Sequence, residues 1–375
     1  MILIICNTSY QVFNAINLKV QVHFDEDVDI VLSEHSDIQR LKERLERTGL
    51  FRNVYLTNSL FLARKFYFFE DSQKFGALLE PQKYIKDCLD INYLTYDIIY
   101  TANVDGYVNL IYRYHIINKT QCDFRYFEDG WSTYTNDWSN FAYSPYERYF
   151  SEIMGESIFI KNIKEIYVYE PDLGCFDDKF VYKAIPKINI RNEKLKKIYN
   201  DVFEYQDSEE YKKKVIFLEE AFQQDGYKNN DFELAMQIVN RVGEENVLVK
   251  RHPRLTNNRF ANSKVSVNSN FSIPWEVIVL NNEFSDKILF TITSGAVLTP
   301  RLVFDEPVFS VYMRDLLKGN LSAMYKKKEF RQFVGNYRKK YPNEIFIPKT
   351  EKGINFCVDA ILKEMQIHEW KFKRT

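Results

Sequence analysis

The sequence predicts an α/β protein with two doubly wound domains that face each other across a central cleft. Short apolar runs alternate with amphipathic stretches over most of the 375 residues. This alternation is typical of mostly parallel sheets with helices on both faces. A charged, proline-containing zone that starts near Pro186 interrupts the pattern, which then begins again. A chain of this length is long for a single core and sufficient for two domains.

The first domain is predicted over residues 1–190. Its strands are expected at Ile2–Cys6, 28–33, 51–57, 96–102 and 122–130. The run Ile2–Cys6 stops at Asn7 and has no basic segment before it, so it is interpreted as a buried strand rather than a signal peptide. The segment between the second and third strands predicts a helix that begins at Ser36 or Asp37 and ends at Gly49.

The second domain is predicted over residues 210–350, after a Lys/Glu-rich helix. Strands are expected at 214–220, 246–253, 265–267, 287–295 and 306–311, with helices at 230–243, at 274–281 and from Ala296. Residues 351–375 are expected to form a C-terminal helix that packs back on the first domain. No apolar stretch approaches the roughly 20 residues needed to span a bilayer.

Composition argues against several classes of function. A net charge of −1 gives no overall field that would favour nucleic acid. The five cysteines are scattered without a CxxC pair, which argues against a zinc site and a disulfide framework and fits a reducing cytoplasm. The basic run at 326–340 is interpreted as a solvated helix face; the alternative is attraction to an anionic glycan or to the inner leaflet of a membrane.

Two adjacent acids and a glycine, Glu128-Asp129-Gly130, end the predicted strand 122–130. Gly130 permits a sharp turn, which would project one carboxylate into the cleft. Adjacent side chains on an extended chain point to opposite sides, so we expect only one of the two acids to serve as a base. The alternative is a structural acid in a turn or a helix cap.

The segment 250–254, with the sequence KRHPR, ends a strand of the second domain. The cations Lys250 and Arg251 suit a phosphate, and Pro253 fixes the turn. His252 could therefore give a proton to a departing phosphate near neutral pH. The alternative is a structural histidine that satisfies a backbone carbonyl.

The motif Thr293-Ser294-Gly295 follows the strand 287–295 and precedes a predicted helix. Hydroxyls and free backbone N–H groups at a helix N-terminus would form an anion site, although a simple N-cap has the same geometry. Ligands of such sheets bind at the carboxyl ends of the strands. The motifs at 128–130, 250–254 and 293–295 are therefore expected to face one cleft.

The segment Pro274-Trp275-Glu276 opens another predicted helix. Pro274 suits the first helical position. Glu276 could grip the two hydroxyls of a ribose; the alternative is an acid that the helix dipole favours in the first turn.

In this order, the motifs resemble those of bacterial sialyltransferases of the GT-B type, most closely glycosyltransferase family 52, the lipooligosaccharide sialyltransferases. The opening segment ICNTSYQVFNAINL looks like the start of that family. The EDG and HP motifs look like the (D/E)(D/E)G and HP motifs shared with polysialyltransferases. The PWE and TSG motifs look like the segments that hold the ribose and the phosphate of the donor. The similarity covers both halves of the chain.

The resemblance implies an inverting transfer of sialic acid from CMP-sialic acid to a terminal galactose-type sugar of a bacterial surface glycan, lipooligosaccharide or capsule. No metal or other cofactor is implied. Asp129, beside Glu128, would be the general base, and His252 the general acid or the stabiliser of the CMP phosphate. On the donor side the implied residues are Lys250, Arg251, Pro253, Trp275, Glu276, Thr293, Ser294 and Gly295. On the acceptor side they are Asn7, Gln11, Gly130 and Trp131.

One departure from the resemblance leaves the base open. In family 52 the base can come from the loop after the first strand of the second domain, which here reads LEEAFQQDG. Glu219, Glu220 or Asp225 could therefore replace Asp129. Trp131 also stands where related enzymes often have a small polar residue, which would reshape the acceptor side.

Two rival functions stay open on the sequence. One is a GT-B transferase that uses CMP-Kdo or a nucleotide hexose, since fold does not determine function. The other is a non-catalytic relative that binds a glycan or a nucleotide. The resemblance implies a bacterial cytoplasmic protein, with peripheral contact at the inner membrane and a homodimer as further expectations.

Overall fold

The computed structural model describes residues 1–33, 38–59, 71–135, 159–174, 179–224, 226–255, 257–270, 272–319 and 328–364. The chain divides into two compact units. The first comprises Met1–Pro171, Cys175–Pro186 and Asp201–Phe203, and the second comprises Asp172–Gly174, Lys187–Asn200 and Glu204–Thr375. Each unit contains one parallel β-sheet with helices, as the alternation of apolar and amphipathic segments predicts.

Over its described residues, the sheet of the first unit has seven strands. They are β1 (Ile2–Cys6), β2 (Val28–Ser33), β3 (Asn53–Thr57), β4 (Ile98–Thr101), β5 (Asp123–Phe127), β6 (Glu165–Val168) and β7 (Val181–Ala184). All pairs are parallel, in the order β3-β2-β1-β4-β5-β6-β7. Every residue of β1 and β2 is buried, which is the pattern of strands covered on both faces.

Two of the described helices of the first unit begin at polar side-chain caps. The helices of this unit are Ser9–Gln21, Ile38–Thr48, Asp71–Leu79, Pro81–Cys88, Gly106–Ile117 and Ser132–Thr135. The Thr8 side chain accepts a hydrogen bond from the N–H of Gln11, and the Asp105 side chain accepts one from the N–H of Val108. The caps predicted at Ser36 or Asp37 lie outside the described residues.

In the described part of the second unit, the sheet has six strands. They are β8 (Val215–Leu218), β9 (Val247–Lys250), β10 (Ser266–Val267), β11 (Ile288–Thr291), β12 (Phe309–Tyr312) and β13 (Ile345–Phe346). The order is β10-β9-β8-β11-β12-β13, and all pairs are parallel. Helices in this half of the chain are Glu193–Phe203, Asp231–Val242, Trp275–Asn281, Thr299–Phe304, Lys328–Lys340 and Glu351–Glu364.

Both sheets reverse their winding direction beside a central strand. In the first unit the chain proceeds outwards from β1 to β3 and then starts again at β4, on the other side of β1. In the second unit it proceeds from β8 to β10 and starts again at β11, on the other side of β8. In doubly wound sheets, the carboxyl edge at such a switch point is where ligands bind.

The C-terminal helix packs differently from the sequence-based expectation. The sequence predicts that it returns to the first domain, but Glu351–Glu364 belongs to the second unit. Its residues Ile354, Val358 and Ile361 are buried in the core that also contains Val215. These positions recur every three or four residues and so form one apolar face of the helix. Within the described residues, no helix is long and apolar enough to cross a membrane.

We expect Ile361→Ala to lower the free energy of unfolding by about 2–5 kcal/mol, because it opens a cavity in a core that the helix completes. Chemical denaturation measures the change. The matched control is Phe356→Ala on the same helix, where the ring is 74% exposed and a change within about 0.5 kcal/mol is expected. Equal effects of the two substitutions would contradict this packing.

Candidate functional site

Polar side chains from three neighbouring strands converge at the carboxyl edge of the first sheet. Asn7 follows β1, Asp105 lies beyond β4, and Glu128 and Asp129 follow β5. The Asn7 side-chain amide donates to Asp105 Oδ2 at 3.0 Å. These strands flank the switch point, so the predicted acidic motif lies where a ligand of this fold is expected.

Glu128 is a buried carboxylate that accepts hydrogen bonds from tyrosine hydroxyls and from a backbone N–H. Tyr10 Oη donates to Oε1 at 3.0 Å, while Tyr134 Oη and the N–H of Tyr169 donate to Oε2 at 2.5 and 2.9 Å. Burial raises the pKa of Glu128 to about 7, against the opposing effect of these hydrogen bonds. With its oxygens engaged, Glu128 orients the acidic motif and is poorly placed to receive a substrate proton.

Asp129 is the more accessible of the two acids. Its backbone N–H donates to Thr133 Oγ1 at 2.9 Å, which secures the turn. Burial raises the pKa of the Asp129 carboxyl, and a hydrogen bond from Gln11 opposes that rise. Gly130 has φ +77°, a conformation that favours glycine, and the partly buried Trp131 follows it. The sharp turn predicted after Asp129 is therefore present.

An amide network extends from the acidic motif to β1 and β4. Gln11 Nε2 donates to Asn103 Oδ1 at 3.3 Å, and Asn103 Nδ2 donates to Gln11 Oε1 at 3.1 Å. The N–H of Asn7 also donates to Gln11 Oε1, at 2.6 Å. Sequence reasoning identified Asn7 and Gln11 but missed Asn103 and Asp105, although both follow a predicted strand, which is the signal that could have indicated them.

In the second unit, a lysine and a glutamate are buried near each other. Lys250 ends β9 and Glu276 lies in the first turn of the helix Trp275–Asn281; each is 7% exposed. Burial lowers the pKa of Lys250 to about 8 and raises that of Glu276 to about 7, while their mutual attraction opposes both changes. Within the described residues, neither side chain forms an ion pair or a hydrogen bond with another side chain. The Glu276 carboxylate also accepts a hydrogen bond from its own backbone N–H, which helps to oppose the rise in its pKa.

His252 follows Lys250 in the loop beyond β9. Its Nδ1 accepts a hydrogen bond from the N–H of Arg254 at 3.2 Å, so the neutral ring carries its hydrogen on Nε2. The N–H of Arg251 donates to Asn268 Oδ1 at 2.8 Å, and Pro253 is exposed. The backbone thus selects the tautomer that can present an Nε2–H group to a ligand.

Glu220, directly after β8, binds the motif that follows β11. Its Oε1 accepts from Thr291 Oγ1 at 2.9 Å, from the N–H of Thr293 at 2.5 Å and from Thr293 Oγ1 at 3.0 Å. Burial raises the pKa of Glu220 to about 7, against these hydrogen bonds. The Thr293 hydroxyl, predicted to hold a phosphate, is therefore already donating to Glu220. The Ser294 hydroxyl accepts from the N–H of Ala296 at 3.3 Å.

The helix predicted from Ala296 begins instead as a 3₁₀ turn, Gly295–Leu298, followed by the short helix Thr299–Phe304. Such short elements have a small dipole, which weakens the anion site that the sequence predicts. Trp275 supports this turn: its indole N–H donates to the Ala296 carbonyl at 2.7 Å, and its ring packs edge-on against Phe284. Trp275 thus links its own helix, Trp275–Asn281, to the 3₁₀ turn Gly295–Leu298.

The other candidate bases after β8 have different placements. Glu219 is buried, and its Oε1 accepts from Arg259 Nε at 2.8 Å. Arg259 also binds both carboxylate oxygens of Asp231, at 3.1 and 2.7 Å. Burial raises the pKa of Glu219 while Arg259 opposes the rise. Glu219 thus joins a buried ion-pair network, and Asp225 lies outside the described residues.

The carboxyl edges of the two sheets carry different polar groups. The first presents Asp129 beside amides, which suits hydroxyl groups. The second presents Lys250, Glu276 and Ser294, which suit a molecule with a diol and an anionic group. No group of three or more His, Cys, Asp or Glu side chains in the described part of the chain is arranged to hold a metal ion.

A family model of alpha-2,8-polysialyltransferase (POLYST) matches residues 2–313. Comparison with curated proteins found no match. Among solved structures, UGT89C1 of Arabidopsis thaliana complexed with UDP has 9% sequence identity and a TM-score of 0.51, over 97% of this chain and 91% of that chain. A UDP-N-acetylglucosamine 2-epimerase has 12% identity and a TM-score of 0.50, over 97% and 90%. These likenesses show the fold: two Rossmann-like α/β domains of the GT-B type, as predicted.

We expect Glu276→Gln to stabilise the unliganded protein at pH 8 by at most about 3 kcal/mol. In the unfolded chain the carboxyl ionises near its ordinary pKa, whereas in the folded protein it ionises at about 7. Between these values the folded state retains a proton that the unfolded state has lost, so stability falls as pH rises. Glutamine removes that cost.

Denaturation at pH 4 and pH 8 measures this effect, with the exposed Glu233→Gln as the control. The gain should be present at pH 8, absent at pH 4 and absent in the control at both. A loss of stability at pH 8 in Glu276→Gln would show that the carboxylate is satisfied within the protein.

Proposed function

The chain belongs to the alpha-2,8-polysialyltransferase family, and from this membership we propose that it transfers sialic acid from CMP-sialic acid to a terminal galactose-type sugar of a bacterial surface glycan. The proposed reaction inverts the anomeric centre and needs no metal ion. The observation that carries the proposal is the buried pair Lys250 and Glu276 at the carboxyl edge of the second sheet, which leaves two desolvated charged groups for a ligand.

The donor fits the second unit through three groups. The Glu276 carboxylate would accept hydrogen bonds from the two ribose hydroxyls of CMP, and the Lys250 ammonium would attract its negative charge. The Ser294 hydroxyl, on the turn that Glu220 holds, would donate to the phosphate. The contacts with Glu276 and Lys250 would offset the cost of burying these two charged groups, and Ser294 lies at the carboxyl edge of the same sheet.

The acceptor fits the first unit, where Asp129 would take the proton from the attacking hydroxyl. Burial raises the pKa of Asp129, which moves it towards the range in which a general base is efficient. The neighbouring amides of Gln11 and Asn103 and the Asp105 carboxylate suit the hydroxyls of a neutral sugar. Two carboxylates would repel the charge of a sialic acid, so we propose galactose as the terminal sugar.

His252 would assist departure of CMP. Its Nε2–H, set by the hydrogen bond at Nδ1, can donate a hydrogen bond to the phosphate oxygen and stabilise the charge that develops on CMP as the glycosidic bond breaks. The transition state resembles an oxocarbenium ion and depends on charge stabilisation, since no covalent intermediate with the protein is required.

The first test is a transfer assay with purified protein, EDTA and CMP-Neu5Ac, in which lactose or sialyllactose serves as acceptor and CMP release is followed. We expect release that increases with lactose and not with sialyllactose. Release only with sialyllactose would contradict the neutral acceptor and favour a polysialyl acceptor, as the family name indicates. Inhibition by EDTA would contradict metal independence, and no release with either acceptor would contradict the donor assignment.

The second test separates catalysis from binding. Asp129→Asn is expected to lower kcat by roughly 10²–10⁴-fold, the usual contribution of a positioned base. His252→Ala is expected to lower kcat by roughly 10²–10³-fold, the usual contribution of a hydrogen-bond donor to developing negative charge. CMP affinity should persist in Asp129→Asn, since this acid belongs to the first unit. Asp172→Asn, at an exposed ion pair with Lys340, serves as the control and should retain wild-type turnover. Unchanged turnover in Asp129→Asn would exclude it as the base.

A further inference from the structure

Glu220 occupies the switch point of the second sheet. It follows β8, and the segment 291–294 belongs to β11 and the loop after it, on the neighbouring strand. The carboxylate therefore bridges the two strands at which the winding direction reverses. The sequence makes Glu220 a candidate base, but its hydrogen bonds with Thr291 and Thr293 indicate a role in holding the loop 291–294.

Three donors converge on a single oxygen of this carboxylate. Oε1 accepts from the hydroxyl of Thr291 and from both the N–H and the hydroxyl of Thr293. The Thr291 hydroxyl in turn accepts from the N–H of Ser294 at 3.0 Å. One acid thus holds, directly or through one hydroxyl, the backbone of two successive residues of the loop.

This arrangement determines how the loop presents Ser294. The Ser294 backbone belongs to this bonded cluster, whereas its hydroxyl accepts from the N–H of Ala296. Ser294 is more exposed than Thr293, which is buried. The hydrogen bonds from Thr291 and from both groups of Thr293 to Oε1 hold the loop in one conformation against the end of β8. Without Glu220, the loop would lose three acceptor contacts at once.

We propose that Glu220 is a positioning residue for the donor, which holds the loop 291–294 in the conformation that places Ser294 against the CMP phosphate. The proposal rests on the proposed function. It differs from a base role in a measurable way, because a base acts on the acceptor and in the chemical step, whereas a positioning residue acts on donor binding. The backbone N–H of Ser294 also interacts with the Glu220 carboxylate, so the acid holds both Thr293 and Ser294 of the loop.

The test compares Glu220→Ala and Glu220→Gln with Glu219→Gln, a substitution at the adjacent acid. Glu219 binds Arg259 and does not contact the loop 291–294. The Glu219→Gln variant therefore shows how far the loss of a neighbouring buried acid affects stability and CMP affinity. CMP affinity is measured by calorimetry without acceptor, together with donor KM, acceptor KM, kcat and Tm. Thr293→Val, which removes one donor and keeps a similar volume, provides a milder variant should Glu220→Ala fold poorly.

Glu220→Ala is expected to weaken CMP binding and to raise donor KM by at least about tenfold, the effect of losing one strong interaction. Acceptor KM should stay within about twofold. Glu220→Gln should be intermediate, because its amide oxygen still accepts hydrogen bonds, and Thr293→Val should weaken CMP binding less than Glu220→Ala. Glu219→Gln should lower Tm while CMP affinity stays within about twofold.

Wild-type CMP affinity in Glu220→Ala or Thr293→Val would overturn this inference and leave the proposed function intact. A fall in kcat with unchanged CMP affinity would also overturn it, and would assign Glu220 as the base. An equal loss of affinity in Glu219→Gln would show a general structural effect and would contradict a positioning role. Failure of the wild-type protein to bind CMP would instead remove the proposed donor, and this inference with it.

Discussion

A carboxylate that is removed from water must find hydrogen-bond donors or bear a large desolvation cost, and this constraint organises both carboxyl edges. Glu128 is satisfied by two tyrosine hydroxyls and a backbone N–H. Glu220 is satisfied by two threonines of the neighbouring strand and its loop. Within the described structure, Glu276 accepts from its own backbone N–H and is attracted by the buried Lys250, without a side-chain donor. The first two acids support motifs, and we propose that the third binds the donor.

The strand order explains why these acids contact polar residues that follow a neighbouring strand. In each unit a central strand, β1 or β8, has neighbours that the chain reaches in opposite winding directions. Residues directly after such strands can contact one another without a helix between them, as Glu220 and Thr293 do. The alternation of segments predicted parallel sheets, but strand order depends on non-local pairing and could not be predicted from local patterns.

Local patterns predicted where the motifs lie better than what they contact. The acidic motif at 128–130 and the segment 250–254 both follow strands as predicted. The donors to Glu128 were missed because a tyrosine within an apolar pattern resembles an ordinary core residue, and Tyr10 is separated from Glu128 by 118 positions in the chain. The same holds for Thr293, whose side chain is engaged by an acid from a different strand. The C-terminal helix shows the same limit, because its apolar face was predictable and its partner surface was not.

A crystal structure of the protein with CMP would test directly whether Lys250 and Glu276 hold the nucleotide. We expect the ribose hydroxyls to lie at about 3 Å from the Glu276 carboxylate, a hydrogen-bonding distance. We also expect the phosphate to lie against Ser294, with the Glu220 contacts to Thr293 unchanged. CMP bound elsewhere in the protein, with no ligand at Lys250 and Glu276, would contradict this assignment.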